Sequence, residues 1–245
     1  MATGANHHAE RNEYNRSRPA PYNAENMRRG PFLSLDGLDG GGKSTQCRLL
    51  ADWLRQEGWE VVQCADPGGT AVGQILRGVL LDPRHTLCMP CEALLFMASR
   101  AQLVAEVIRP ALEAGKAVIS DRFLLANVVY QGHAGGLDPR LLWSTGRLAI
   151  EDLEPDLTFI LDIPLERARH RRKAVADRME SRGDDYFAKV RAGFLAEAER
   201  RPDRMQVVDA SRSVDEVCGD LIQRTRMWLS GRPTGRRSQD AASVD

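Results

Sequence analysis

This sequence has few cysteines, no net charge and no long apolar run. Its cysteines (Cys47, Cys64, Cys88, Cys91 and Cys218) are odd in number and scattered, as in a reduced cytoplasmic protein. Lys plus Arg equals Asp plus Glu at 34 each, so no basic field points to nucleic acid. No run reaches membrane-spanning length, and the N-terminus lacks the apolar core of a secretion signal. The sequence therefore predicts a cytoplasmic protein that binds neither nucleic acid nor membrane.

The chain divides into a folded middle and two polar ends. Residues 1–30 contain few large apolar side chains, so we expect a disordered N-terminal arm, and 230–245 a disordered C-terminal tail. Between them, 31–229 reads as one domain in which apolar strand candidates alternate with helices. This alternation predicts an α/β fold with a parallel sheet covered on both faces.

Five strands and seven helices are predicted within 31–229. The strands are Phe32–Leu35, Glu60–Cys64, Ala117–Ser120, Leu157–Asp162 and Met205–Val208. The helices are about 43–57, 70–82, 90–113, 138–150, 164–175, 184–200 and 213–229. We expect Pro110 to kink the third helix, and Ser213 with Glu216 to form a capping box. Ligands in such folds bind at the carboxyl ends of the strands.

A glycine-rich segment, Gly37-Leu38-Asp39-Gly40-Gly41-Gly42-Lys43-Ser44, follows the first strand candidate. Its spacing matches the phosphate-binding loop of nucleoside-triphosphate enzymes. The glycines let backbone N–H groups surround an anion, and Lys43 adds a positive charge for the β- and γ-phosphates. Ser44 has a hydroxyl that can ligate Mg²⁺, and Thr45 continues into a helix whose N-terminal end faces the phosphates. The segment predicts a bound nucleotide.

A second candidate group lies at the end of the third predicted strand, where Asp121 and Arg122 follow an apolar run. We expect Asp121 to lie near Mg²⁺ and its waters, and the Arg122 guanidinium suits a second phosphate. The alternative is a salt-bridged strand end. No Asn-Lys-x-Asp guanine-reading motif is present, which disfavours a GTP-dependent switch protein.

An arginine-rich segment at about 165–182 follows the fourth predicted strand. Its basic residues are Arg167, Arg169, Arg171, Arg172, Lys173, Arg178 and Arg182, against the acids Glu166, Asp177 and Glu180. Because the segment emerges at the ligand side of the sheet, we favour a lid that closes over transferring phosphates. A solvated helix face is the alternative.

Several spaced motifs resemble those of the thymidylate kinase family, whose members phosphorylate dTMP with ATP and Mg²⁺. They are Gly37–Thr45, Asp66–Thr70, Phe96–Arg100, Asp121–Phe123, Asn127–Gly132 and Pro155–Asp162, and the resemblance covers about Pro31 to Leu229. It implies a three-layer P-loop kinase fold with a five-stranded parallel sheet. It also implies ATP bound by Gly37–Thr45 (Gly37, Leu38, Asp39, Gly40, Gly41, Gly42, Lys43, Ser44 and Thr45), Mg²⁺ at Ser44 and Asp121, and a homodimer.

The resemblance also implies how dTMP is bound. The residues carried over are Asp39, Pro67, Phe96, Arg100, Arg122, Asn127, Tyr130 and Gln131. Phe96 would stack on thymine, Arg100 would donate to a thymine carbonyl, and Asn127 with Gln131 would read the base edge. Tyr130 would pack under the sugar. Phe96 and Tyr130 also suit ordinary core positions, which stays the alternative for each.

Members of this family place a catalytic arginine either in the phosphate loop or in the lid. The loop here contains none, and Asp177-Arg178-Met179-Glu180 resembles the bacterial-type lid, so Arg178 is the leading candidate, followed by Arg171 and Arg172. The predicted catalytic residues are Lys43, Arg122, Arg178 and Asp39. Three positions depart from the family: Ala65-Asp66 replaces Arg-Glu, Phe123 replaces Tyr or His, and Ala126 replaces Ser.

These observations together predict a thymidylate kinase that uses ATP and dTMP. One alternative is a kinase for another nucleoside or deoxynucleoside monophosphate. The other is a weakly active nucleotide-dependent binding protein, which only the altered Ala65-Asp66 segment supports.

Overall fold

A computed structural model describes residues 29–171, 178–179 and 182–231. Within them lie five parallel strands: β1 (Phe32–Gly37), β2 (Val61–Ala65), β3 (Ala117–Asp121), β4 (Leu157–Asp162) and β5 (Met205–Asp209). The strands pair in the order β2-β3-β1-β4-β5. The predicted five-stranded parallel sheet is confirmed, and each strand starts or ends within two residues of its expected position.

Helices cover both faces of this sheet. They are α1 (Lys43–Gln56), α2 (Ala71–Leu81), α3 (Met89–Leu103), α4 (Leu124–Asn127), α5 (Pro139–Ile150), α6 (Leu165–Arg171), α7 (Asp184–Arg200) and α8 (Val214–Ser230). α3 continues through a π-helical turn, Val104–Ile108, into Arg109–Glu113, and α4 continues as a π-helix, Val128–Ala134.

The side chains of the central strands alternate between two cores. On β1, Leu33 and Leu35 pack into one hydrophobic cluster, whereas Phe32 packs into the other. On β3, Ile119 and Val118 divide in the same way. Because consecutive strand residues point to opposite faces, this division yields three layers with the sheet in the middle.

Two local expectations at helix ends and bends can be compared with the structure. The capping box of α8 is present: the Ser213 hydroxyl accepts from the Glu216 backbone N–H at 3.3 Å, and Glu216 Oε2 accepts from the Ser213 N–H at 3.0 Å. In α3 the irregularity precedes Pro110 as a π-helical turn, in which the Arg109 N–H donates to the Val104 carbonyl. A proline ring crowds the preceding turn, which explains the irregularity at this place.

The helix over 124–134 was not predicted, and it carries three of the expected site residues: Asn127, Tyr130 and Gln131. Its π-helical part, Val128–Ala134, has wider turns than an α-helix, so its buried side chains do not recur with α-helical spacing. A sequence pattern based on 3.6 residues per turn therefore does not detect it.

Some expectations concern residues outside the described ranges. In the predicted arm, 1–28 lie outside them, whereas Arg29 pairs with Asp156 and the Gly30 N–H donates to the Leu112 carbonyl at 3.2 Å. In the predicted tail 232–245 lie outside them, and in the arginine-rich segment 172–177 and 180–181 do. None of the helices in the described part of the chain is long and apolar enough to cross a membrane.

Candidate active site

The glycine-rich loop joins β1 to α1 and passes close to two other backbone segments. Gly37 has a φ of 128°, and a Cβ there would lie 2.5 Å from the carbonyl oxygen of Leu161. Gly40 has a φ of 84°, and a Cβ there would lie 2.3 Å from the carbonyl oxygen of Ala168. Both the backbone conformation and the neighbouring carbonyls therefore require glycine at these positions.

Lys43 is the first residue of α1, and its ammonium group folds back over the loop. Its Nζ donates to the carbonyl of Leu38 at 2.9 Å and of Gly37 at 3.3 Å, and lies 3.6 Å from Asp39 Oδ1. The side chain is 7% exposed. Burial, followed by the nearby Arg122 charge, lowers the pKa of Lys43. A charge so poorly solvated is attracted strongly to an anion in the loop.

The two predicted magnesium ligands lie next to each other. Ser44 Oγ donates to Asp121 Oδ2 at 2.5 Å, which joins the start of α1 to the end of β3. Hydroxyl and carboxylate oxygens are ligands that Mg²⁺ accepts. No group of three or more His, Cys, Asp or Glu side chains with metal-binding geometry occurs in the described ranges. A neighbouring hydroxyl and carboxylate could therefore hold Mg²⁺, an ion that usually keeps several of its waters.

Arg122 follows β3 in a left-handed conformation, with a φ of 69°. Its N–H donates to the Leu35 carbonyl at 2.9 Å, and its carbonyl accepts from Ser120 Oγ at 2.6 Å. Nη2 donates to Asp39 Oδ1 at 2.8 Å and to the Tyr130 hydroxyl at 3.1 Å. The surrounding bonds maintain a strained conformation of the kind that clusters at functional sites.

A cavity of about 710 Å³ connects these groups. The predicted residues that line it are Asp39, Gly40, Gly42, Lys43, Ser44, Thr45, Pro67, Phe96, Arg100, Asp121, Arg122, Asn127, Tyr130 and Gln131. Gly37, Leu38 and Gly41 of the loop are buried and are not among the residues that line the cavity. The structure therefore brings the predicted phosphate loop, metal ligands and acceptor residues to a single crevice.

Apart from the loop, several hydrogen-bonding side chains line the cavity. Arg100 Nε donates to Asp66 Oδ2 at 2.5 Å, and Arg100 Nη1 donates to Asn127 Oδ1 at 3.1 Å. Asn127 Nδ2 donates to Gln131 Oε1 at 2.8 Å. Asp66, at a position where the family usually has Glu, thus reaches Arg100 directly. These groups can hold a base by directional hydrogen bonds.

The aromatic residues near these side chains, Phe96, Tyr130 and Phe123, have different surroundings. Phe96 lines the cavity and also packs against the hydrophobic cluster that contains Leu33 and Leu35. It therefore contributes to the core and also has a ring face available to a base. Tyr130 is 5% exposed and its hydroxyl accepts from Arg122. Phe123 is a core residue: its ring lies 5.1 Å from that of Phe32, and the Arg100 guanidinium lies 5.7 Å from its centre.

Arg178, the leading lid candidate, is bound at the end of α2. Its Nε donates to the Leu80 carbonyl at 2.7 Å, and its Nη1 lies 2.6 Å from Glu92 Oε2. The lid residues that line the cavity, among those described, are Arg171 and Met179. Arg172, a further candidate, lies outside the described residues.

Several site residues were not predicted. Gln74, Arg77 and Leu81 of α2 line the cavity, and Arg77 Nη1 donates to the Pro67 carbonyl at 2.8 Å.

Asp36 lies at the end of β1, fully buried, and neither carboxyl oxygen has a hydrogen-bond partner in the described part of the chain. Burial raises the pKa of Asp36 to about 7, although Arg122 and Lys43 oppose this rise. The sequence signal that could have identified Asp36 is an acidic residue within an apolar strand, directly before Gly37.

Comparisons with known proteins give one consistent family. The profile described as thymidylate kinase matches residues 35–221. The thymidylate kinase of Rhodopirellula baltica is 50% identical to this chain over 188 residues, or 77% of each protein. That of Symbiobacterium thermophilum is 46% identical over 206 residues, or 83% of this chain and 96% of the relative. The crystal structure of thymidylate kinase from Ehrlichia chaffeensis is similar with a TM-score of 0.68 and 31% identity, covering 81% of this chain and 99% of that one.

Proposed function

The chain belongs to the thymidylate kinase family, and we propose that it transfers the γ-phosphoryl group of ATP to dTMP, giving dTDP and ADP for dTTP synthesis. The observation that carries this proposal is the continuity of the cavity. The glycine-rich loop with Lys43 and the cluster of Arg100, Asn127 and Gln131 line the same cavity. A crevice lined by both groups would hold two anionic nucleotides next to each other.

The proposed mechanism depends on positioning and charge rather than on a protein nucleophile. The acceptor phosphate of dTMP is already anionic, so it needs no general base to attack the γ-phosphorus. The loop N–H groups and Lys43 hold the β- and γ-phosphates, and Arg122 holds the dTMP phosphate. Asp39 Oδ1 lies 2.8 Å from Arg122 Nη2 and 3.6 Å from Lys43 Nζ, so this carboxylate aligns both cations. Their charges stabilise the transition state, in which negative charge spreads over the transferred group.

Mg²⁺ is proposed at Ser44 and Asp121. Their oxygen atoms, 2.5 Å apart, belong to the ligand class that Mg²⁺ prefers. When bound, the ion would offset the negative charge of the ATP phosphates. Ser44 and Asp121 would orient this ion directly or through its waters.

For the acceptor, Phe96 would stack on the thymine ring while Arg100, Asn127 and Gln131 bind its edge. Tyr130 would lie under the sugar, and Pro67 would close the side of the pocket. A site that hydrogen-bonds the base edge rejects analogues that leave its buried polar groups unpaired. This arrangement favours thymine over other bases.

A lid arginine is proposed to complete the charge around the transferred group. Arg178 is bound to Glu92 and Leu80 in the structure, whereas Arg171 lines the cavity. We retain Arg178 as the leading candidate and Arg171 as the second. A closed lid would also exclude water and limit wasteful hydrolysis of ATP.

We also propose a cytoplasmic homodimer whose ligands are small molecules rather than nucleic acid or membrane. The five cysteines are all unpaired, which suits a reducing compartment. Apolar side chains are exposed on neighbouring helices, among them Ile75 on α2, Leu94 on α3 and Leu148 on α5, and they would suit a helix-mediated dimer.

The experiment that tests the function is an assay of ADP release by wild type, Lys43→Ala and Lys116→Ala with ATP, Mg²⁺ and dTMP, dUMP, dCMP or dGMP. Lys116, a surface lysine paired with Glu60, provides the matched control. We expect dTMP to be the preferred acceptor, Lys43→Ala to abolish transfer while remaining folded, and Lys116→Ala to match wild type. Preference for another acceptor would indicate a different monophosphate kinase. Absent or acceptor-independent turnover by wild type would favour the binding-protein alternative.

A further inference from the structure

A continuous line of hydrogen-bonded side chains begins at residues that line the cavity and runs into the protein. Its members are Asp66, Arg100, Asn127, Gln131 and Glu92, and each is at most 3% exposed. Beyond the bonds that join Asp66 to Gln131, Gln131 Nε2 donates to Glu92 Oε1 at 2.7 Å. Glu92 does not line the cavity, because it lies on α3 behind Gln131. We call these five residues the buried relay.

The chemistry of the relay permits one orientation of its two amides. Arg100 has only donors, so Asn127 must present its oxygen to it, and its nitrogen then faces Gln131. Gln131 accordingly presents its oxygen to Asn127 and its nitrogen to Glu92, a carboxylate with only acceptors. Reversal of either amide would place two donors or two acceptors face to face, which is costly in a buried site.

The orientation of the two amides determines which hydrogen-bonding groups face a bound base. Asn127 Nδ2 and Gln131 Nε2 each have two hydrogens, of which the relay uses one. These remaining N–H groups, and the Arg100 N–H groups that donate to neither Asp66 nor Asn127, belong to side chains that line the cavity. A carbonyl oxygen on the base can accept from them, whereas an amino group at the same position cannot.

Two arginines hold the Glu92 end of the relay. Arg182 Nη2 donates to Glu92 Oε1 at 2.9 Å and Oε2 at 2.7 Å, and Arg178 Nη1 lies 2.6 Å from Oε2. Arg182 also stacks on Tyr186, with the guanidinium 4.5 Å from the ring centre. A buried carboxylate needs such partners, because without them it loses most of its stabilisation as an ion.

We propose that Glu92 is a positioning residue that determines base specificity: its arginine-paired carboxylate fixes the orientation of Gln131, and through it that of Asn127, so that the pocket presents donors to the base. This inference rests on the proposed function and adds a residue that does not touch the substrate. Glu92 precedes Phe96 by four residues and Arg100 by eight, so all three share one face of α3.

Glu92→Gln is the informative substitution because it preserves size but removes the second acceptor. If the new amide presents its oxygen to the arginines, its nitrogen faces Gln131, and the resulting reversal of the relay meets the donors of Arg100. If it presents its oxygen to Gln131, the arginines face its nitrogen. Either arrangement leaves a buried conflict that the carboxylate avoids.

The test compares dTMP with 5-methyl-dCMP, which share the 5-methyl group. They differ at position 4 of the base, a carbonyl or an amino group, and at N3, which carries a hydrogen only in thymine. The ratio of kcat/KM for the two acceptors is measured on the same sample, so the fraction of folded enzyme cancels. We expect Glu92→Gln to lower the dTMP preference by at least about tenfold, the value of a hydrogen bond to a charged group. Arg182→Met should lower it in the same direction, and Arg182→Lys should restore part of it.

Glu197→Gln is the matched control. Glu197 is 1% exposed and accepts from His133 at 2.8 Å and from Trp143 at 3.0 Å, so it anchors the same π-helical segment without touching the relay. Its variant should keep the wild-type ratio. An unchanged ratio in Glu92→Gln would overturn the inference, and if that variant does not fold, an unchanged ratio in Arg182→Met overturns it.

A wild-type protein that releases no ADP with dTMP would refute the proposed function instead. The ratio of the dissociation constants of the two nucleotides, measured by calorimetry on the same variants, would then decide the inference separately. A dTMP preference in binding that Glu92→Gln lowers supports it, and equal ratios in both proteins refute it.

Discussion

Asp36 is the buried carboxyl whose replacement gives a quantitative prediction about the electrostatics of the site. Neither of its oxygens has a hydrogen-bond partner in the described part of the chain, and burial raises its pKa from 3.8 to about 7. The opposing charges of Arg122 and Lys43 reduce this rise without cancelling it. We therefore expect Asp36→Asn, which removes the ionisation, to change how stability depends on pH.

The sign follows from the direction in which folding moves the pKa. A group whose pKa is raised on folding binds its proton more tightly in the folded state, so its contribution is most favourable below pH 3.8 and is lost as pH rises through about 7. A tenfold change in proton affinity corresponds to about 1.4 kcal/mol, so Asp36 costs about 4 kcal/mol of stability at pH 8 and about 2 kcal/mol at pH 5, relative to low pH. The advantage of Asp36→Asn over wild type should thus grow by about 2–3 kcal/mol between pH 5 and pH 8.

Urea unfolding of the nucleotide-free proteins at several pH values measures this difference. Ser34→Ala provides a control on the same strand, since its Oγ lies 2.8 Å from Thr158 Oγ1 and does not titrate in this range. It should lower the free energy of unfolding by about 1 kcal/mol at every pH. A pH-independent difference between Asp36→Asn and wild type would refute the reasoning, because Asp36 would then not change ionisation in this interval.

Two further substitutions test the geometry of the phosphate end. Gly40→Ala should weaken ATP binding at least about tenfold more than Gly42→Ala in calorimetry, because both glycines have a positive φ but only at Gly40 would a Cβ collide with backbone, the Ala168 carbonyl; equal losses would show that the contact is unimportant. Tyr130→Phe should raise KM for dTMP about 3- to 10-fold, since Arg122 loses one acceptor, and an unchanged KM in the ADP-release assay would contradict this role.

The phosphate loop and the sheet could be predicted because their signals are local. Each central strand is a short apolar run, and the glycines of the loop recur with Lys43 and Ser44 at a fixed spacing within eight residues. In the strands and the phosphate loop, the local sequence pattern and the observed structure therefore agree.

The parts that could not be predicted depend on contacts between distant segments. α4 was missed because its π-helical turns do not follow α-helical spacing, and so the helix that carries Asn127 and Gln131 was not recognised. The bonds of Glu92 to Arg178 and Arg182 join residues about 90 positions apart, and nothing near Glu92 in the sequence indicates them. The placement of Arg178 against Leu80, rather than in the cavity, has the same origin.

A crystal structure with a bisubstrate analogue, in which adenosine and thymidine are joined by a chain of phosphates, would show whether both nucleotides bind in this cavity. We expect the phosphates to lie along the Gly37–Ser44 loop, within reach of Lys43 and Arg122, and thymine to lie against Phe96. An analogue that bound elsewhere, or that left the loop empty, would contradict the proposal that ATP and dTMP bind next to each other in this cavity.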